Sequence, residues 1–185
     1  MSEHKPERIA KVIARAGLCS RREAERWIDA GRVTLNGALL DSPAVTVTEA
    51  DTVIVDGKPL RGPEITRLWR YHKPAGLVTT HSDDKGRETV FDKMSADMPR
   101  VVSVGRLDLN SEGLLLLTND GELARKLELP STGWSRRYRV RVHGHVDEKR
   151  LKSLSHGITV DGIRYGPIKA AYDGEDEKRK ANAWL

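Results

Sequence analysis

The sequence predicts an α+β protein built in two parts. A small N-terminal module of two short helices and a twisted sheet precedes a mixed, mainly antiparallel β-sheet with flanking helices. Three observations carry this expectation. Apolar residues recur at helical spacing in two runs between Ile9 and Ile28, with the capping sequence Ser20-Arg21-Arg22-Glu23 between them. Asn36-Gly37, a pair suited to tight hairpin turns, then separates two strand-length segments. Beyond residue 64 the pattern becomes strand-like: Leu114 to Leu117 is an unbroken apolar run, and Arg136 to His143 alternates apolar with basic residues.

Composition narrows the function classes. A chain of 185 residues suffices for one large or two small domains, each with a modest core. Charged residues make up 32% and no run of eighteen apolar residues occurs, and Met1 to Lys11 lacks the apolar centre of a signal peptide. A soluble, cytoplasmic protein with no membrane partner is expected. The single cysteine, Cys19, leaves no intramolecular disulfide or cysteine-based metal cluster, and is expected to pack as a small apolar side chain. His143 and His145 could offer two ligands from one strand face, but no third stands nearby, so no metal is expected. A net charge of +5 and a pI near 9.4 suit a polyanionic partner. Residues 1–60 are neutral overall, yet Arg8, Lys11, Arg15, Arg21, Arg22, Arg26 and Arg32 cluster against only Glu23, Glu25 and Asp29. Clustering of this kind is a nucleic-acid footprint, although any single arginine reads first as part of a solvated helix face.

Taken in order, residues 1–7 read as a frayed polar end. Ile9, Val12, Ile13 and Ala16 form one helix, which Gly17 stops. Ser20 caps the next, with Ala24, Trp27 and Ile28 inward and Gly31 at its end. Arg32 to Leu35 and Ala38 to Leu40 flank the Asn36-Gly37 turn, and Thr52 to Val55 ends at Asp56-Gly57. Lys58 to Glu64, with two prolines and a glycine, reads as a short linker. Leu68 to His72 and Leu77 to Thr80 are strands about the Lys73-Pro74-Ala75-Gly76 turn, followed by a polar loop, His81 to Glu88. The paired carboxylates Asp83 and Asp84 could mark a metal site, but Lys85 and Arg87 favour a solvated or RNA-contacting loop. Gly105 to Gly113 forms a turn-rich segment holding Arg106 and Asp108 against the leucine run; by itself Asp108 reads first as a turn residue. Asn119 or Asp120 caps a helix that Pro130 halts. In Arg136 to His143, Tyr138, Val140 and Val142 share one face and Arg137, Arg139, Arg141 and His143 the other. Val146 to His156 reads as a helix, Gly157 to Tyr165 as a strand pair turning at Asp161-Gly162, Glu175 to Lys180 as a solvated charge run, and Ala181 to Leu185 as the start of a strand.

Gly105-Arg-Leu-Asp-Leu-Asn-Ser-Glu-Gly-Leu-Leu-Leu-Leu-Thr-Asn-Asp-Gly121 resembles the signature of pseudouridine synthases, specifically the RsuA/RluB group acting on ribosomal RNA. Lys73-Pro74-x-Gly76 resembles their first motif, and Arg137-Tyr138-Arg139-Val140 their tyrosine motif. Gly17-Leu-x-Ser-Arg-Arg-x-Ala24 followed by Gly31-Arg-Val-x-Leu-Asn-Gly37 resembles the S4 (αL-motif) RNA-binding domain over residues 7–56. The resemblance implies an S4 domain at 1–57, a linker at 58–64 and a catalytic domain at 65–185. It assigns catalysis to Asp108, substrate contacts to Arg106, Tyr138 and Lys73, and RNA contacts to the N-terminal basic cluster with Arg87, Arg137 and Arg139. Arg106 would fill the space left by a flipped base and Tyr138 would stack on it. It further implies a monomer acting on ribosomal RNA, with large-subunit RNA favoured, and without a cofactor, since isomerising uridine retains every atom of the base. Relatives continue past the position of Leu185 through another strand and a basic helix, so a C-terminally truncated form of much reduced activity is expected. A second reading, a non-enzymatic RNA-binding protein with an incomplete catalytic domain, stays open at this point. A hydrolase using Asp108 and water is disfavoured by the lack of a second well-placed carboxylate.

Overall fold

The computed structural model describes residues 6–62, 64–173 and 182–185, which divide into two compact units, Met1–Gly133 and Trp134–Leu185. The expected charge run Glu175 to Lys180 and the first five residues of the expected frayed end lie outside the described residues.

The first unit begins with β1 (Glu7–Arg8), a strand where a frayed end was expected, followed by α1 (Ile9–Arg15) and α2 (Arg21–Asp29). Gly17 takes φ +81°, which glycine adopts without steric cost and which ends the first helix. The Ser20 hydroxyl accepts from the Glu23 N–H at 3.1 Å, so the cap forms. The reciprocal half of the capping box does not. Glu23 instead accepts from Trp27 Nε1 at 3.2 Å and Arg26 Nη1 at 3.1 Å, since its own helix offers it donors one turn on. Then come β2 (Val33–Leu35), β3 (Ala38–Leu39), β4 (Thr46–Val47), β5 (Val53–Val55) and β6 (Lys58–Pro59). Four of these form an antiparallel sheet in the order β3-β2-β5-β6, while β4 pairs with β1. The hairpin turns are Asn36-Gly37 and Asp56-Gly57, all four residues at positive φ. Lys58–Pro59, expected in the linker, is therefore an edge strand, a position where proline's missing N–H costs no ladder bond. Ile9, Ile13, Ala24, Ile28, Val33 and Val53 close one core, with Cys19 buried among them. Each large aliphatic side chain contributes on the order of 1.5–3 kcal/mol of burial.

A second core in the same unit lies on a three-stranded antiparallel sheet of β7 (Leu68–Lys73), β8 (Val102–Val104) and β9 (Gly113–Thr118), ordered β7-β9-β8. Strand alternation decides what the leucine run does. Leu115 and Leu117 join Leu77, Val90 and Val101 in this core, whereas Leu114 on the opposite face is 65% exposed. Leu77 to Thr80, expected as a strand, is irregular and makes only an isolated bridge, Val78 to Thr89. Helix α3 (Gly121–Glu128) starts where Asp120 Oδ1 accepts from the Glu122 and Leu123 N–H groups, and ends one residue of extended chain before Pro130.

The second unit holds β10 (Arg141–His143), α4 (Glu148–Ser153), β11 (Ile158–Val160), β12 (Ile163–Tyr165) and β13 (Asn182–Trp184). The strand expected from Arg136 shrinks to Arg141–His143, with one further backbone pair between Val140 and Leu185. Alternation alone does not make a strand; only this stretch meets β13. Strands β11 and β12 turn at Asp161-Gly162 as expected. Gly157 is required: a Cβ there would lie 2.6 Å from the Tyr165 carbonyl oxygen. No helix among the described residues is long and apolar enough to cross a membrane.

Candidate active site

The loop between β8 and β9 carries Arg106 and Asp108, and backbone tethers fix it along its length. The Gly105 N–H donates to Glu128 Oε1 of α3 at 2.7 Å. The buried Thr79 hydroxyl donates to the Leu107 carbonyl at 2.8 Å and accepts from the Leu107 N–H at 3.3 Å. The Gly76 N–H donates to the Leu109 carbonyl at 2.7 Å, and the Ser111 N–H closes a turn onto the Asp108 carbonyl at 3.0 Å. Beneath the turn lies Lys73, with no exposed surface. Its ammonium donates to the carbonyls of Asp108 (3.0 Å), Ser111 (2.8 Å) and Pro74 (3.0 Å). Lys73, expected to touch substrate, is thus placed under the loop, because three carbonyls converge where only a cation with three donors can satisfy them. Burial pushes its pKa below the ordinary lysine range, against the opposing pull of the Asp108 charge.

Above the loop, Arg106, Asp108 and Leu109 face Val78–Thr80 and the Ser82–Arg87 loop across a cleft of about 430 Å³. The Asp108 and Arg106 side chains are exposed, and neither enters a hydrogen bond or ion pair among the described residues. Asp108 is therefore an exposed carboxylate at the cleft, on a braced backbone, with a cation two residues away. Across the cleft, Asp83 knots its own loop. It accepts from Arg87 Nη2 (2.6 Å) and Nε (3.1 Å) and from the Lys85 and Arg87 N–H groups (3.1 and 3.0 Å). The Arg87 guanidinium so placed holds the Asp83 carboxyl far below the usual carboxylate range. Arg87, expected to grip RNA, is instead engaged within the loop. Among the described residues no three His, Cys, Asp or Glu side chains gather as metal ligands.

The N-terminal basic cluster divides. Lys11 pairs with Glu7 (2.5 Å) and Glu122, Arg15 with Glu7 (2.6 Å), and Arg26 with Glu23 (3.1 Å). Arg32 forms a two-point pair with Asp56 (2.8 and 2.5 Å) and lies 4.5 Å over the Trp27 ring. Arg8, Arg21 and Arg22 are exposed and outside any ion pair among the described residues. In the second unit Tyr138 is 60% exposed and Arg137 is also exposed, while Arg139 pairs with Asp173 (2.5 Å) and stacks on Trp184 at 4.4 Å. Sequence inspection missed Thr79 and gave Asp83 a different part. A threonine in Leu-Val-Thr-Thr carries no mark of a partner 28 residues on, whereas Asp83 four residues before Arg87 was a readable pair.

Comparison with known proteins places this geometry. A model of the S4 domain matches residues 7–53, and one described as RNA pseudouridylate synthase matches residues 67–183. A protein named uncharacterized RNA pseudouridine synthase from Rickettsia bellii is 48% identical, over 97% of this chain and 76% of its own length. Ribosomal large subunit pseudouridine synthase B of Pseudomonas aeruginosa is 42% identical, over 91% of this chain and 45% of its own length. The counterpart of that name in Salmonella typhimurium is 44% identical, over 84% of this chain and 55% of its own length. A crystal structure of a pseudouridylate synthase matches with a TM-score of 0.57 at 24% identity, covering 96% of this chain and 76% of that one, a likeness of fold. With its catalytic half matched over residues 67–183, the chain belongs to the RNA pseudouridylate synthase family and is an isomerase carrying an S4 RNA-binding domain.

Proposed function

We propose that this protein converts a uridine of ribosomal RNA, in the large subunit, to pseudouridine, with Asp108 as the reactive group. The observation that carries this is the Asp108 carboxylate, without an ion pair or hydrogen bond among the described residues and displayed in a cleft on a loop whose backbone is fastened at Gly105, Leu107, Asp108, Leu109 and Ser111. The names of the Pseudomonas and Salmonella relatives support the choice of RNA. Its setting is then the cytoplasm, where the protein acts as a monomer without a cofactor.

The reaction breaks the bond from ribose C1′ to uracil N1, turns the base, and joins C1′ to C5; C5 loses its proton and N1 ends protonated. Asp108 acts at the ribose, as nucleophile at C1′ or as base for a sugar proton. The uridine must first leave its stack, at a cost of a few kcal/mol. Arg106, exposed beside Asp108, occupies the vacated space. Tyr138 supplies a stacking face for a base, a contact worth about 1–3 kcal/mol. Lys73 and Thr79 hold the loop still, so that the carboxylate meets the sugar without reorganising. The S4 module, through Arg8, Arg21 and Arg22, grips phosphates.

Mass mapping of modified uridines in ribosomal RNA from cells lacking this gene tests the assignment. One large-subunit pseudouridine should revert to uridine and return when the gene is restored. An unchanged large-subunit map contradicts it.

A further inference from the structure

A groove of about 800 Å³ runs between the helical module and the catalytic sheet inside the first unit, away from the cleft that holds Asp108. Its floor is small and apolar, with Ala14, Cys19, Val102 and Ala124, and its walls are charged. The charges do not cancel locally. Lys11 and Arg15 are neutralised by Glu7 and Glu122, while the Asp120 carboxylate accepts from the α3 cap and the Thr66 hydroxyl, neutral donors that leave its charge in place. Glu128 accepts from the Gly105 N–H. Set against the charges of Asp120 and Glu128 are Arg21 at the α1–α2 joint, Arg100 ahead of β8, and Arg125 and Lys126 on α3, which enter no ion pair among the described residues. Arg100 also lies close enough to Cys19 for its charge to act against the burial that pushes that thiol up to about 11.

Four cations against two carboxylates leave the concave surface net positive, and an approaching polyanion relieves the repulsion among the cations. We propose that this groove seats the sugar-phosphate backbone of the substrate RNA beside the target, with Arg21, Arg100, Arg125 and Lys126 as sequence-independent phosphate contacts. The proposal rests on RNA being the substrate and adds a second grip outside the reactive cleft. It explains why the cations sit on both walls: a backbone lying along the groove meets Arg21 from one side and Arg100, Arg125 and Lys126 from the other. No base edge is read there, so binding should follow salt and not sequence.

The test is the salt dependence of binding of a fluorescein-labelled RNA hairpin to the full chain. Binding to this probe involves no turnover, so its outcome does not depend on whether Asp108 is reactive. The triple variant R100Q/R125Q/K126Q should flatten the slope of log affinity against log salt by about 2 to 3, close to one per lost phosphate contact. A control of equal charge loss on other exposed positions, K58Q/R61Q/R70Q, should flatten it by less than about one. The variant R100K/R125K, which keeps both charges, should retain most of the slope. An unchanged slope in the triple variant, an equal loss in the control, or an equal loss in the lysine variant overturns the proposal.

Discussion

The Thr79 hydroxyl meets the Leu107 peptide from both ends, donating to its carbonyl and accepting from its N–H. Because the Leu107 N–H belongs to the peptide group shared with Arg106 and its carbonyl to the one shared with Asp108, fixing both sets the direction of both neighbours. Replacing Thr79 with Val removes both bonds at nearly constant volume and leaves buried polar groups without a partner, a loss of about 1 kcal/mol or somewhat more. We expect kcat to fall about tenfold with KM changed less than about twofold, and Thr79→Ser to recover most of the rate. Equal losses for Ser and Val, or a change confined to KM, would argue for packing alone. By themselves the residues make Asp108 a turn residue; it is the likeness of Gly105 to Gly121 to the synthase signature that singles out Asp108 and Arg106. The place of Lys73 was not legible in the sequence. Its partners are main-chain carbonyls, two of them 35 and 38 residues away, and a carbonyl leaves no trace in residue identity.

At the scale of elements, the Ser82–Arg87 loop is a knot about one carboxylate. The pairing with Arg87 lowers the folded-state pKa of Asp83 below the ordinary value near pH ~4 that it has in the unfolded chain. Its contribution to stability is therefore fully present above about pH 4 and is lost as pH falls below that toward the depressed folded value. Asp83→Asn should accordingly have a lower thermal midpoint than the parent at pH 7, and the gap should hold down to about pH 4 and then narrow as the buffer is taken to pH 3. A gap of constant size across that range would assign the effect to something other than this ion pair. Helices were readable because their signals are local: the Ser20 and Asp120 caps and the Gly17 stop all lie within a turn of what they control. Hairpins at Asn36-Gly37 and Asp161-Gly162 were readable for the same reason, whereas Asp56-Gly57 read only as a strand end because its return strand, Lys58–Pro59, is two residues long and contains a proline. Strands were less so. Arg136 to Arg139 alternates as a strand should, yet pairing needs a neighbour that sequence alone does not supply, and regular structure begins only at Arg141.

For the whole molecule, charge was the coarsest signal and needed the most revision. Clustering of cations in the sequence from Arg8 to Arg32 pointed to a polyanion. Folding neutralises Lys11, Arg15, Arg26 and Arg32 through carboxylates, some adjacent and others far along the chain, as with Glu122 and Asp56. It also gathers Arg100, Arg125 and Lys126, distant in sequence from the helical module, along a groove shared with Arg21. The two-part α+β architecture was readable, since two kinds of periodicity follow each other along the chain; which elements form a compact unit was not, because contacts across residues 58–64 join the helical module to the sheet in Met1–Gly133.

The proposed catalysis turns on one carboxylate. The direct measurement is tritium release from C5-labelled uridine in ribosomal RNA, comparing the parent protein with Asp108→Asn at equal concentration and with RNA binding measured alongside. The change keeps the side chain's shape and removes its charge, so release should fall by about 10²–10⁴-fold or more while RNA affinity stays within a few-fold. Undiminished release by Asp108→Asn would contradict the account.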